Sequence, residues 1–143
     1  MPYTSEMIDG GRGMLHVGRG VVRGADVLDG AVVDHEPPAR AAQLTHGFVD
    51  LMEVTELQLT AEDIHGIVAE NRVTAQAAPS VIVAVAAPHD HLFGMARMWE
   101  ALADQTGWTI RVFRARQEAL AWLRAELGRD PGVPDAGAKR VRA

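Results

Sequence analysis

Residues 48–69 read FVDLMEVTELQLTAEDIHGIVA. Phe48, Val49 and Leu51 surround Asp50 in an otherwise apolar run, so Leu44 to Met52 is predicted to be a mostly buried strand. A short turn follows. Thr60-Ala61-Glu62-Asp63 then sets a hydroxyl three residues ahead of an acid, a near match to the capping box. It also places Glu62 and Asp63 at the positive end of a helix that starts at Thr60. Ile64, Ile67 and Val68 recur on one face of that helix and turn it toward a core.

On the C-terminal side, Val81 to Ala86 (VIVAVA) has no polar residue, which fits a strand covered on both faces. Pro88 stops it. Asp90 is predicted to cap a helix whose apolar stripe includes Leu92, Met95, Ala96 and Trp99. Gly107 breaks this helix, Trp108 to Phe113 alternates as a strand, and Arg116 to Leu127 is a last helix that Gly128 ends.

On the N-terminal side, Asp9-Gly10-Gly11-Arg12 turns a hairpin between Tyr3–Ile8 and Gly13–Gly18, with Met14 and His16 on one face and Leu15 and Val17 on the other. Val27, Leu28, Ala31 and Val32 predict a short helix. Pro37-Pro38 must end anything helical before it, which makes His35 to Gln43 a surface loop. The fold predicted is α/β: a mixed, mainly parallel sheet of about five strands, with an N-terminal β-hairpin and about four helices. One domain covers residues 1–128, and 129–143 is predicted to be a flexible tail.

The charge pattern excludes one class of partner. Residues 1–80 hold 12 acids and 5 bases, and 81–143 hold 7 acids and 9 bases, so no basic stripe suited to nucleic acid is present. Cysteine is absent, which removes disulfides, thiolate metal sites and a cysteine nucleophile. MPYTSEMIDGG lacks a basic start and an apolar run, and no segment approaches the ~20 apolar residues of a membrane span. A cytoplasmic protein without a cofactor is expected.

Asp50-Leu51, Val54-Thr55 and Gln58-Leu59-Thr60-Ala61 match, in order and place, a strand ending in Asp-Leu, a Val, and an Asp-Ser-Ser-Gly-type helix start. In this the chain resembles the STAS domains of sulfate transporters and anti-sigma factor antagonists. Met14 to Leu127 is similar to small bacterial STAS-like or SEC14-like proteins, in pieces such as Phe93-Gly94-Met95-Ala96-Arg97-Met98 and Glu118-Ala119-Leu120-Ala121-Trp122-Leu123. The resemblance implies partner switching, in which a hydroxyl at the helix start is phosphorylated and a complex breaks. The matching hydroxyl here is Thr60, although Gln58, Leu59 and Ala61 stand where the family has Asp, Ser and Gly.

Each candidate site has a plainer account beside it. Thr60 is a phosphorylation candidate and also an ordinary N-cap. Asp50 sits near a strand's C-terminal end, where open α/β sheets place ligands, but a structural acid bonding backbone amides of a neighbouring loop is preferred, since no second acid or His stands at a fixed spacing from it. His89-Asp90-His91 invites a metal, but neighbouring residues at a helix start diverge, so Asp90 as a cap with binding potential is preferred and no metal site is assigned. Arg97 is placed to bind an anion or to pair with Glu100. Phe93, Arg97 and Met98 together form a candidate surface for a protein partner or for a dimer.

No residue is assigned a catalytic role, and enzymatic activity ranks third among the readings. First is a non-enzymatic STAS-like regulatory or interaction domain that presents the turn before Thr60 and the start of the helix after Asp90 to a protein partner. The alternative is a binder of a small apolar or lipid-like ligand, because SEC14-like relatives of the fold hold lipids.

Overall fold

The structure is a computed structural model, and it describes residues 1–135. Its order is β1 (Tyr3–Ile8), β2 (Gly13–Arg23), α1 (Gly24–Val33), α2 (Pro38–Gln43), β3 (His46–Gln58), α3 (Ala61–Ala77), β4 (Ile82–Ala86), α4 (Asp90–Ala103), β5 (Thr109–Phe113) and α5 (Arg116–Leu127). The five strands form one mixed sheet in the order β1-β2-β3-β4-β5, with β1 antiparallel to β2 and all other neighbours parallel.

Alternation along the strands divides the core in two. One face of the sheet carries Met14, Leu51, Val83 and Val85 and is roofed by α1, α3 and α4. The other carries Leu15, Phe48, Ala84 and Ala86 and is covered by α5 through Ala119, Leu120 and Leu123. Small residues on both sides, Ala84, Ala86 and Ala119 with no exposed surface, let α5 lie close on β4. Gly107 and Gly128 end α4's extension and α5 with φ of 85° and 74°, a conformation a side chain would strain.

Four expectations change. Pro37-Pro38 ends α1 but Pro38 also opens α2, because proline's fixed φ suits the first helical position, so His35 to Gln43 is not all loop. The short turn after Met52 is instead strand: β3 runs to Gln58, pairing Arg19 with Glu53 and Arg23 with Gln58 on β2 alone. The helices number five among the described residues. The N-cap of α4 is His89 with no side-chain bond, and Asp90 lies in the first turn, where it pairs with Arg114 at 2.7 Å.

The segment after α5 also departs from its composition. Residues 129–135 are held against the sheet, since Pro131 O accepts from His46 Nε2 at 2.7 Å, Arg129 pairs with Asp9, and Val133 enters the core beside Ile8. Burial holds the His46 imidazole below its ordinary pKa, so it sits neutral between Pro131 and Thr45. The Arg129 hydrogen bond holds Asp9 below the usual carboxylate range. The rest of the predicted tail, 136–143, lies outside the described residues.

Candidate functional site

Between the sheet and its three-helix roof lies a cavity of about 110 Å³. Its floor includes Met14, Gly47, Val49 and Val83, and its roof Val27, Ile67, Met95 and Trp99. One water needs ~10–15 Å³, and an apolar cavity of ~150 Å³ admits benzene. The space is thus far larger than one water and has about three-quarters the volume of a cavity that holds benzene, and the lining is almost wholly carbon.

Four polar residues interrupt that lining: Tyr3, His16, Asp34 and Asn71. Their placement follows from local structure. Ser5 and His16 face each other across the β1–β2 hairpin. Ser5 Oγ and His16 Nδ1 are hydrogen bonded at 2.7 Å, and His16 Nε2 donates to Asp34 Oδ1 at 3.1 Å. Asp34 caps the C-terminal end of α1, so this chain of bonds ties the hairpin to the helix roof. The Tyr3 ring stacks on His16 at 5.8 Å and lies against Gly30, where a Cβ would come within 2.5 Å of it. Burial, and secondly the Asp34 charge, hold the Tyr3 hydroxyl well above its ordinary pKa, so it remains a proton donor.

Asn71 is 4% exposed and accepts from Trp99 Nε1 at 2.8 Å through Oδ1. The neighbouring residues His35 and Glu70 bond at 2.8 Å, which brings the Asp34 end of α1 alongside the Asn71 turn of α3. The polar groups thus gather on one side of an otherwise apolar space. Ser5, His16 and Asp34 match a hydrolase triad by residue type, but Ser5 does not line the cavity and its Oγ packs against Gly30. A nucleophile needs open approach to its substrate.

The residues singled out from sequence lie elsewhere. Asp50 faces the α5 side, where its carboxylate accepts from Arg116 Nε at 2.9 Å and from the Met52 amide at 3.0 Å. Thr60 caps α3: its Oγ accepts from the Asp63 amide at 3.1 Å and its own amide donates to Asp63 at 2.9 Å, a device worth about 1 kcal/mol. His91 donates to Leu57 O at 3.3 Å, which sets the start of α4 beside the end of β3.

Phe93 lies under Arg114 at 4.3 Å and Arg97 at 6.0 Å, and Arg97 also pairs with Glu100 at 3.0 Å. Asp90, Phe93 and Arg97 therefore share one surface. Met98 is exposed but stands about 140° round the helix from Phe93. Among the described residues no group of three His, Asp or Glu side chains converges to hold a metal.

Sequence reasoning passed over Tyr3, Ser5, Asp34 and Asn71. One signal was available, because a hairpin closing Ile8 on Gly13 sets Ser5 opposite His16. Nothing local announced that the end of α1 would meet them.

No protein-family model matches the chain, and no curated protein matches it. Among solved structures it is similar to an uncharacterized protein of the DUF3478 family from Shewanella loihica PV-4, which has a SpoIIAA-like fold. The match covers 85% of this chain and 91% of that one, at 15% identity and a TM-score of 0.50. Such identity speaks for the fold alone. The fold of this chain is thus SpoIIAA-like, the class to which the STAS resemblance points. No helix among the described residues is long and apolar enough to cross a membrane.

Proposed function

We propose that this SpoIIAA-like domain works by binding a small, mostly apolar molecule in the cavity between its sheet and the α1-α3-α4 roof. The cavity carries the reading. Side chains around a space of about 110 Å³ forgo packing partners on that side, which costs dispersion energy. A resident ligand would offset that cost. The lipid-holding of SEC14-like proteins motivates such an expectation, and the shape of this core, rather than that resemblance, supports it.

Toluene tests the reading. At ten times its dissociation constant a ligand of the folded state adds about 1.4 kcal/mol, so toluene near saturation is expected to raise the thermal unfolding midpoint by several degrees. An unchanged midpoint, with no toluene cross-peaks to methyl groups lining the cavity by NMR, sinks it.

A second reading, regulation through a protein partner, is favoured by the surface that Thr60, Asp90, Phe93 and Arg97 offer around the His91–Leu57 contact. Thr60 begins the helix whose Ile64 and Ile67 roof the cavity, so a bound ligand and this surface act on the same element. A phosphate at Thr60 would gain the exposed amides of α3 and meet repulsion from Glu62 and Asp63. Under a phospho-switch, Thr60→Glu is expected to lose a partner that wild type captures. Capture of the same partners by both would remove the switch.

A further inference from the structure

Building on the cavity reading, we infer that the ligand is a neutral ring or short chain bearing one hydroxyl, held by Tyr3, Asp34 and Asn71. Three residues that line the cavity each have a polar atom without a hydrogen-bond partner among the described residues: the Tyr3 hydroxyl, Asp34 Oδ2 and Asn71 Nδ2. No fully covered polar side-chain atom lacks a partner, so all three border open space. All three residues line the cavity, and Asn71 is only 4% exposed.

The inventory of these atoms selects the head group. Asp34 Oδ2 only accepts when ionised, Asn71 Nδ2 only donates, and the Tyr3 hydroxyl does either. A hydroxyl both donates and accepts, so it satisfies an acceptor and a donor from one position. His16 is not available to it, since Ser5 and Asp34 occupy both ring nitrogens.

Charged heads fit poorly. The lining contains no Arg or Lys, so a carboxylate would sit in apolar surroundings beside the Asp34 charge without a counterion. An ammonium finds acceptors in Asp34 Oδ2 and the Tyr3 hydroxyl, but it must shed its water in an almost wholly apolar space and leaves Asn71 Nδ2 without an acceptor.

The experiment is a chemical-shift titration of the whole chain with toluene and three of its para-substituted derivatives: p-cresol, p-toluate and 4-methylbenzylamine. p-Cresol is expected to bind about tenfold more tightly than toluene, and both charged compounds more weakly than toluene. Tyr3→Phe keeps the ring on His16 and removes one hydroxyl, and is expected to bring p-cresol to within about threefold of toluene. Toluene binding as tightly as p-cresol in wild type overturns the hydroxyl inference and leaves the cavity reading standing. So does tighter binding of the acid or the amine. Failure of all four overturns both.

Discussion

Replacing Asp50 by Ala is expected to destabilise the protein by about 3 kcal/mol, lowering the unfolding midpoint by about 10 °C. The Asp50–Arg116 pair is 2.9 Å long, with side chains only 12% and 16% exposed, so each charge relies on the other for what water would supply. Arg116 also lies 5.7 Å from the Phe48 ring centre and donates to Pro134 O at 2.7 Å. Without Asp50 it is left charged against an aromatic face with one remaining acceptor, and the Met52 amide loses its partner. The double variant Asp50→Ala/Arg116→Ala removes the stranded charge and is expected to recover 1 kcal/mol or more, roughly the coupling of neighbours in one network. Urea unfolding of the four proteins reads this directly. A loss under about 1 kcal/mol for Asp50→Ala would show that the pair does not hold α5 to β3, and would free Asp50 for the ligand role weighed from sequence.

Asp50 also shows which properties were legible before the structure. Its burial followed from Phe48, Val49 and Leu51, and a structural acid was expected to meet backbone amides. The amide it meets is that of Met52, two residues along its own strand and not in a neighbouring loop, and the Arg116 partner lies 66 residues away, where no local signal named it. Elements with one strong period were readable: the VIVAVA strand, the Thr60 capping box and the Arg116–Leu127 seam all needed only local physics. Errors fell where two rules competed. Glu53, Thr55 and Glu56 give the second half of β3 the look of a turn because its solvent face is acidic, and a register shift opposite Gly20 and Val21 sets the buried Val54 and Leu57 three residues apart, which breaks the two-residue period.

The start of the tail, residues 129–135, departs from its composition for a related reason. Few apolar residues lie beyond Gly128, but Pro131 and Val133 each fill a place already shaped by His46, Ile8 and Asp9. Ordering a short segment takes a preformed surface rather than high apolar content. The cavity was the least legible feature, because it is a deficit of volume shared among Val, Gly and Ala on several elements. Each of those residues is unremarkable where it stands in the sequence.

Gly47 offers the sharpest test of that cavity, and Gly47→Leu is expected to abolish binding of toluene and p-cresol, with a loss of at least about 100-fold. The position lies on β3 between Met14 and Val83 in register, with its open side turned to the cavity floor. The atoms nearest to a Cβ there are Met14 O at 3.7 Å and the Val83 methyl carbons at 3.7 and 3.9 Å, ordinary contacts that require no displacement. Its φ is outside the left-handed region, so a side chain brings no backbone strain. The strand gains from losing a glycine, and the added carbons occupy space that is otherwise empty. Stability is therefore expected to stay level or rise by about 1–2 kcal/mol while affinity disappears, an opposition that damage to the fold cannot imitate. Should Gly47→Leu bind p-cresol as wild type does, the ligand lies elsewhere. Should it unfold, Gly47→Ala separates the cases, since its one methyl is expected to weaken p-cresol several-fold in a folded protein if the cavity is the site.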